Sequence, residues 1–390
     1  SSVIASRLKA DSAFRHAVEL APDSATYWLD YARFIRATDN SAARAAIPEM
    51  LDRAIAGAKR DGRSMLVSQL LDEQGMAVFR NYELEANKAT FVNPVATDGI
   101  RMPSAMDGTP TPVDRTDLRK AQAGSTLRQD IAQYYEKNVI KVSPPSGAEK
   151  LAYAFRAFND AVVASPANEL ARRHQFMVMA ESSDWVGITS ATQRAIASDS
   201  NDRQAWLARG IAMQRLERYA DASVAFSNGM RLMSDGEQAA FTSLSRLLTP
   251  NRYANTSRFP DSVTYSKLDA AGRYKWDALY WRLADPRART SVNEAFLEFL
   301  ARVAYADLRF SYEELDVLGS SSDRGRIYIR FGPPDRVYGP DNVWTYRNGR
   351  VFRFRPGLTF ANAFFSEAEK RTVEDSLLIV DPNGWENMPL

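Results

Sequence analysis

Residues 323–335 read DRGRIYIRFGPPD, and their pattern is the main basis for the fold expected in the C-terminal part of the chain. Side chains at residues 326–331 alternate between polar and apolar, which is the period of a half-buried β-strand. The Gly-Pro-Pro-Asp run that follows is expected to end the strand, because proline cannot donate to a β-ladder and glycine allows a tight turn. The alternation therefore predicts a strand at residues 326–331.

A hairpin is expected after this strand. Two further alternating segments, residues 342–346 and 350–354, flank the dipeptide Asn348-Gly349. Asn-Gly between alternating segments is a strong hairpin signal. Residues 293–310, before the first strand, have the apolar spacing of an amphipathic helix. The C-terminal part is therefore expected to be a small α+β module with a short antiparallel sheet.

The N-terminal half carries an internal repeat. Three residues recur with identical spacing, since Phe14, Ala17 and Pro22 match Phe158, Ala161 and Pro166. A fuller set follows in residues 203–233, namely Trp206, Gly210, Ala222 and Phe226. These positions resemble the 34-residue tetratricopeptide pattern, in which small residues let two antiparallel helices touch and an aromatic ring fills the space between them. The repeat predicts a tetratricopeptide-like helical region.

The match to this pattern is uneven. A weaker copy spans residues 25–56, where the small position of the second helix falls on Arg44 and the aromatic position falls on Pro48. Half-matches lie at residues 10–22 and 150–166. A generic array of helical hairpins is the alternative interpretation.

Composition along the chain predicts two domains. Residues 1–248 are expected to form the tetratricopeptide-like region, with a Pro/Gly-rich insertion at residues 90–125 that is typical of a loop. Residues 249–390 are expected to form the α+β module and to end in an extended tail. The expected fold class is thus mostly α, with a helical repeat region followed by a small sheet-containing module.

Several classes of function are not expected from the composition. The 390 residues carry a net charge of +2 with interspersed charges, which does not favour nucleic-acid binding. Cysteine is absent, and His16 and His174 lack the spacing of a metal site or a catalytic triad, so we expect no metal and no cofactor. No apolar run approaches the roughly 18 residues of a membrane span. The first residue is Ser1 rather than methionine, so we expect an upstream segment to have been removed, trimmed or left unresolved, with a leader or a lipid anchor as one candidate.

Four motifs occur in an order that resembles a bacterial family. WRLADP begins at Trp281, RVAYADLRF at Arg302, DRGRIYIRFGPPD at Asp323 and VWTY at Val343. In this order they resemble GWxTD domains over about residues 276–356. The resemblance implies an extracytoplasmic module, often lipoprotein-like and sometimes fused to tetratricopeptide arrays. The namesake motif reads Gly-Ser-Ser-Ser-Asp here, with Ser320 in place of the family tryptophan, so a site lined by that tryptophan would be altered.

Asp323, Arg324 and Asp335 are the candidate catalytic residues. If Asp323 and Asp335 flank a shared cleft, they could act as acid and base while Arg324 orients a carboxylate or phosphate group. The alternative is structural, with each aspartate bonding the backbone N–H groups of its own turn.

Aromatic residues supply the candidate interaction surface. Tyr274, Trp276, Tyr280 and Trp281 cluster ahead of the amphipathic helix, and Trp385 lies in the Pro/Asn/Gly-rich tail. Trp, Tyr and Arg dominate the anchors of protein interfaces. Core packing is the alternative interpretation of the cluster.

The expected function is that of a non-catalytic interaction or scaffold subunit, because repeat arrays expose a long surface suited to binding proteins. Its expected setting is periplasmic or otherwise extracytoplasmic, peripheral to a membrane-embedded complex such as a photosynthetic or envelope assembly. Its partners would be other protein subunits. Two alternatives are a carboxylate-dependent hydrolase or peptidase using Asp323 and Asp335, and a cell-wall or carbohydrate-binding module.

Overall fold

Helices dominate the computed structural model of this chain. The structure describes residues 2–36, 41–89, 144–248, 262–285, 290–311, 318–334, 336–338, 343–346 and 351–353. The helices of the N-terminal part are α1 (Ser2–Leu20), α2 (Ala25–Arg36), α3 (Ser41–Ala45), α4 (Ile47–Arg60), α5 (Ser64–Ala89) and α6 (Pro144–Ala164). The expectation of a mostly helical chain is confirmed.

The remaining helices run through the middle and the C-terminal part of the chain. They are α7 (Glu169–Glu181), α8 (Trp185–Ser198), α9 (Arg203–Arg215), α10 (Tyr219–Arg231), α11 (Asp235–Thr242), α12 (Ser262–Ser266), α13 (Ala270–Ala284), α14 (Glu294–Phe310) and α15 (Asp323–Phe331). Two 3₁₀ turns, Leu244–Arg246 and Gly319–Ser321, connect parts of this series.

One hydrogen bond recurs at the start of three helices. In α2, α7 and α9 the side chain of the fourth residue donates to the carbonyl oxygen six residues earlier. The pairs are Trp28 to Pro22 at 2.9 Å, Arg172 to Pro166, and Trp206 to Ser200 at 2.9 Å. The second and third pairs are 34 residues apart, which is the tetratricopeptide period. The helical region is therefore consistent with a repeat.

Two helix pairs are held at close range by a glycine that faces an aromatic ring. A Cβ placed on Gly210 of α9 would lie 2.6 Å from the ring of Phe226 on α10. A Cβ on Gly75 of α5 would lie 2.5 Å from the ring of Phe158 on α6. The half-match at residues 150–166 thus has its partner in α5, on the far side of residues 90–143. Those residues, and with them the insertion predicted at 90–125, lie outside the described part of the chain.

Helix α5 joins two hydrophobic clusters. Leu70, which is fully buried, belongs to the cluster formed with α1, α2 and α4. Phe79, also fully buried, belongs to the larger cluster that includes α6 to α10 and the C-terminal helices. Asp72 of the same helix accepts a bond of 2.8 Å from His174 on α7. This shared helix ties the two clusters together.

The weak repeat copy predicted at residues 25–56 has a different layout in the structure. Its second helix is α4, which begins at Ile47 and has Pro48 in its first turn, where a missing N–H is tolerated. Arg44 lies earlier, in α3, and is buried with its guanidinium donating to the carbonyl of Arg36 at 3.2 Å. Arg44 therefore lies outside the second helix, whereas Pro48 lies in its first turn, where its carbonyl oxygen accepts from Gln74 at 2.7 Å.

The strand predicted at residues 326–331 is wrong, because these residues belong to α15. Ser322 caps the helix, and its Oγ accepts from the N–H of Gly325 at 3.1 Å. Tyr328, which a strand would turn away from Ile327 and Ile329, is buried with them. Because side chains on both sides of this segment are buried, an alternating sequence is compatible with a helix as well as with a strand. Gly332 ends it with a φ of +76°, a conformation that favours glycine.

Three short strands follow α15. They are β1 (Arg336–Tyr338), β2 (Val343–Thr345) and β3 (Val351–Arg353), paired antiparallel in the order β1-β2-β3. Trp344 of β2 is 1% exposed and lies 5.6 Å from the ring of Phe310. The Asn348-Gly349 turn lies outside the described residues. The separation of this part as an α+β module, like the division into two domains, stays a prediction.

Candidate functional site

A cluster of buried polar contacts lies where α14 meets the helices of the middle of the chain. Helix α14 packs against α7, α9 and α10, and we call the sides of those three helices that contact it the helix-binding face. Asn293 starts α14 by accepting from the N–H of Phe296 at 2.9 Å. The helix is buried along most of its length, including Leu300 and Val303 in its centre. The helix-binding face is therefore covered by a helix of the same chain.

Glu298 anchors the N-terminal half of α14. Its carboxylate accepts from Arg215 of α9 at 3.2 Å and from Arg302 of α14 at 2.6 Å, and it is also bonded by Gln214. Burial alone would raise the pKa of Glu298, but the guanidinium groups of Arg302 and Arg215 outweigh it and lower the pKa. The carboxylate is therefore held ionised between two cations.

Arg215 extends this cluster to α15. Its second guanidinium nitrogen donates to the hydroxyl of Tyr328 at 3.1 Å. Burial opposes the charge on Arg215, yet Tyr328 and Glu298 together leave its pKa raised. Arg302 also points towards the carbonyl oxygens of Ile329 and Arg330 at the end of α15, at 3.4 and 3.5 Å. One cluster of charges thus fixes α9, α14 and α15 relative to one another.

Arg309 anchors the C-terminal end of α14. Its guanidinium donates to Glu181 of α7 at 2.5 Å and lies 5.1 Å from the centre of the Phe79 ring. Nearby, Arg173 of α7 donates to the carbonyl oxygen of Asp307 at 2.7 Å. Glu298 and Arg309 are eleven residues apart, or about 16 Å along the helix. Two anchors of opposite charge therefore set both the direction and the register of α14.

This arrangement matches one known way of recognising a helix. In that mode an amphipathic helix lays its apolar face in a hydrophobic groove. Here Glu298 and Arg309 add charged contacts that set the orientation of α14. A buried ion pair of this kind is strongly destabilised when one partner is lost, because the other charge is left buried without compensation. Helix α14 thus occupies the sides of α7, α9 and α10 that would otherwise be open to a partner helix.

The turn at Gly319–Ser321 presses closely against α14. A Cβ on Gly319 would lie 1.8 Å from the carbonyl oxygen of Ala306, and one on Gly325 would lie 1.8 Å from that of Gly319. The N–H of Ser320 donates to Asp307 at 2.7 Å, and Arg246 donates to the Ser320 carbonyl at 3.1 Å. Ser320 itself is 1% exposed. The interior at position 320 is therefore filled, with no room for an indole side chain in this packing.

Asp323 lies at the start of α15 and is 7% exposed. Burial raises its pKa to about 6, against a smaller opposing effect of Arg326. Its Oδ1 has no hydrogen-bond partner within the described ranges. The structural alternative expected Asp323 to accept from backbone N–H groups of its own turn, and Oδ1 accepts none within the described ranges. Ser322 makes the capping bond instead. Arg324 is buried beside it, and Asp335 lies outside the described residues, so the predicted Asp323–Asp335 pairing has no geometry to examine.

The predicted interaction aromatics separate into two groups. Tyr280 is 3% exposed, and Trp281 lies 5.0 Å from both Phe296 and Phe299, so these two pack in the core rather than on a surface. Trp276 is half-buried against the same cluster. Tyr274 is 76% exposed and is free to meet a partner. Trp385 lies outside the described residues.

The sequence offered no signal for the anchors of α14. Glu298 and Arg302 form an ordinary i, i+4 pair on an amphipathic helix. Their partners Arg215 and Glu181 are distant in the chain and sit among many other charged residues. Only the packing of α14 on the helix-binding face brings these groups together.

Three further findings bear on function. Over the described residues, no group of three or more His, Cys, Asp or Glu side chains is placed to hold a metal ion. In the same part of the chain, no helix is long and apolar enough to cross a membrane. No protein-family model, curated protein or solved structure matches this chain.

Proposed function

We propose that this chain is a non-catalytic scaffold subunit that holds other protein subunits in a larger assembly. The observation that carries the proposal is the anchoring of α14 on the helix-binding face by Glu298 and Arg309. Such anchoring joins the repeat helices to the C-terminal part as one packed body. A rigid body with fixed outer surfaces suits a protein whose task is to position partners.

The covered face decides where those partners would bind. Because α14 covers the helix-binding face of α7, α9 and α10, an external peptide would have to displace a largely buried helix to reach that face. Partner contacts are therefore proposed on the outer surfaces of the helices and not on the helix-binding face. This differs from the simple expectation for a repeat array, whose long open surface is the usual binding site.

The finer architecture and the setting belong to the same proposal. We take the repeat as tetratricopeptide-like and the C-terminal part as a GWxTD-like α+β module. The setting is then extracytoplasmic, peripheral to a membrane-embedded complex such as a photosynthetic or envelope assembly. The motifs at residues 281–286, 302–310 and 323–335 support this proposal, and the recurring bonds of Trp28 and Trp206 support its repeat component.

One observation favours a hydrolase as a second candidate. Asp323 is buried, its Oδ1 is unpaired within the described ranges, and its pKa is raised to about 6, as a general acid requires. Asp307, which is tied to the same turn, is committed to the N–H of Ser320. A catalytic role predicts that Asp323→Asn abolishes an activity while the fold is kept, whereas a structural role predicts a change in stability alone.

Native purification tests the scaffold proposal directly. The protein would be isolated from its own membranes in mild detergent, and co-purifying proteins would be identified and quantified by mass spectrometry. The proposal predicts one or more subunits in stoichiometric amount. A lone monomer under conditions that keep other envelope complexes intact would contradict it.

A further inference from the structure

Helix α13 presents a face that the described residues leave uncovered. Five exposed positions share one side of the helix: Ala271, Tyr274, Lys275, Ala278 and Arg282. Residues spaced by three, four and seven positions lie on one stripe of a helix. The opposite side packs into the core through Trp276, Tyr280 and Trp281. We call the exposed set the α13 stripe.

The α13 stripe is cationic because the acids of this helix serve internal contacts. Asp269 caps the helix and accepts from the N–H of Gly272 at 2.7 Å. Asp277 is bonded by the hydroxyl of Tyr265 at 2.7 Å. Lys275 and Arg282 form no ion pair with any residue in the described part of the chain. Both cations are thus available to carboxylates on another molecule.

The shape of the stripe suits a second helix. Ala271 and Ala278, seven residues apart, have small side chains that let a neighbouring backbone approach closely. Tyr274 stands between them with 76% of its surface exposed. A tyrosine flanked by small residues and bordered by arginine has the make-up of an interface anchor. The α13 stripe therefore presents one exposed aromatic ring, two alanines and two positively charged side chains.

Resting on the proposed scaffold function, we propose that the α13 stripe docks an acidic amphipathic helix of a partner protein. Carboxylates of that helix pair with Lys275 and Arg282, and its apolar side chains close over Tyr274. Such a contact needs individual charged pairs across the interface and does not need a high net charge on either surface.

An anionic membrane is disfavoured as the occupant, because its attraction for a protein surface depends on the net positive charge of that surface. Over residues 262–285 four cations face three acids, leaving a net charge of only +1: Lys267, Arg273, Lys275 and Arg282 against Asp269, Asp277 and Asp285.

Site-specific photo-crosslinking in the native cell tests the docking surface. A photoreactive phenylalanine analogue would replace Tyr274 in the full chain, and the crosslinked peptide would be sequenced by mass spectrometry. The matched control places the analogue at Val224, which is 60% exposed on α10. The double substitution Lys275→Glu and Arg282→Glu changes exposed, unpaired residues, and an unchanged melting temperature would show that the fold is kept.

The proposal predicts adducts from position 274 to a partner segment with acids at helical spacing. The double charge reversal should lower the yield roughly tenfold or more, and placing lysines at the mapped acids should restore it. Adducts from 274 that equal the control, that are lipids, or that map to a segment without acids would overturn it. If 224 crosslinks to a subunit and 274 does not, the docking surface fails while the scaffold function stands. If no subunit crosslinks or co-purifies, the scaffold function itself fails.

Discussion

Replacing Gly210 by alanine tests the close contact between α9 and α10. The new Cβ would lie 2.6, 2.7 and 2.8 Å from three atoms of the Phe226 ring. Carbon atoms normally meet at about 3.5–4.0 Å, so the ring would have to retreat by about 1 Å. Phe226 is 1% exposed, and protein interiors are close-packed, so there is no space to receive it.

The expected magnitude follows from two opposing contributions. Overpacking of a filled core costs about 1–3 kcal/mol. Alanine in a helix interior recovers about 0.8–1.0 kcal/mol relative to glycine. Gly210→Ala should therefore lower the free energy of unfolding by about 1 kcal/mol. Gly75→Ala should behave in the same way, because its Cβ would lie 2.5 Å from the Phe158 ring.

Urea denaturation followed by circular dichroism measures the effect. The control is Gly236→Ala in α11, where a Cβ has no described heavy atom within 4 Å and the stability should stay level or rise. In a double-mutant cycle, Phe226→Leu should relieve the clash and give a coupling of about 1 kcal/mol or more. If Gly210→Ala stabilises the protein as much as Gly236→Ala, with no coupling to position 226, the packing argument is refuted.

Three further predictions concern charges and caps. Asp323→Asn should stabilise the protein at pH 7.5 by up to about 3 kcal/mol and have little effect near pH 4. The folded protein binds the Asp323 proton more tightly than the unfolded chain, so the wild-type free energy of unfolding falls as pH rises through the window from about 4 to about 6. Denaturation curves at the two pH values check this, and equal shifts at both would contradict it. Glu298→Gln leaves two buried guanidinium groups without their counter-charge and should cost about 3–5 kcal/mol, against almost nothing for the exposed control Glu19→Gln. Ser322→Ala removes the cap of α15 and should cost about 1 kcal/mol in the same assay; an unchanged midpoint would show that the bond to Gly325 is not formed.

The mostly helical character of the chain was the part of the fold that the sequence predicted best. The contact between Gly210 and Phe226 joins two consecutive helices, so a local pattern of small and aromatic positions could indicate it. The pairing of α5 with α6 could not be found in the same way. Gly75 and the ring of Phe158 are far apart in the sequence, so no fixed spacing links them. The structure nevertheless brings them into contact.

The error at residues 326–331 has a physical cause. A run of six residues with isoleucine and phenylalanine at every second position fits a strand, but it also fits a helix that is buried on several sides. The cap at Ser322 and the stop at Gly332 favour the helix, and both were available in the sequence. The sequence did not show that α14 packs against this segment. That packing buries Tyr328 as well as Ile327.

The candidate site was predicted only in fragments. Asp323 was identified, although its burial and the pKa of about 6 arise from packing that no local pattern records. Tyr280 and Trp281 were chosen as possible anchors, but aromatic residues serve cores and interfaces alike, and the structure buries Tyr280. Long-range pairs such as Arg309 with Glu181 depend entirely on how α14 is docked.

Native-state hydrogen exchange shows whether α14 stays on the helix-binding face while the protein is folded. If α14 is a permanent occupant of the helix-binding face, its central amides, around Leu300 and Val303, should exchange only through global unfolding. They should then have the same opening free energy as the amides of α9. If the amides of α14 open at a free energy several kcal/mol below those of α9, the helix leaves its place while the repeat stays folded. That result would contradict the account and return the helix-binding face to the list of surfaces that a partner can reach.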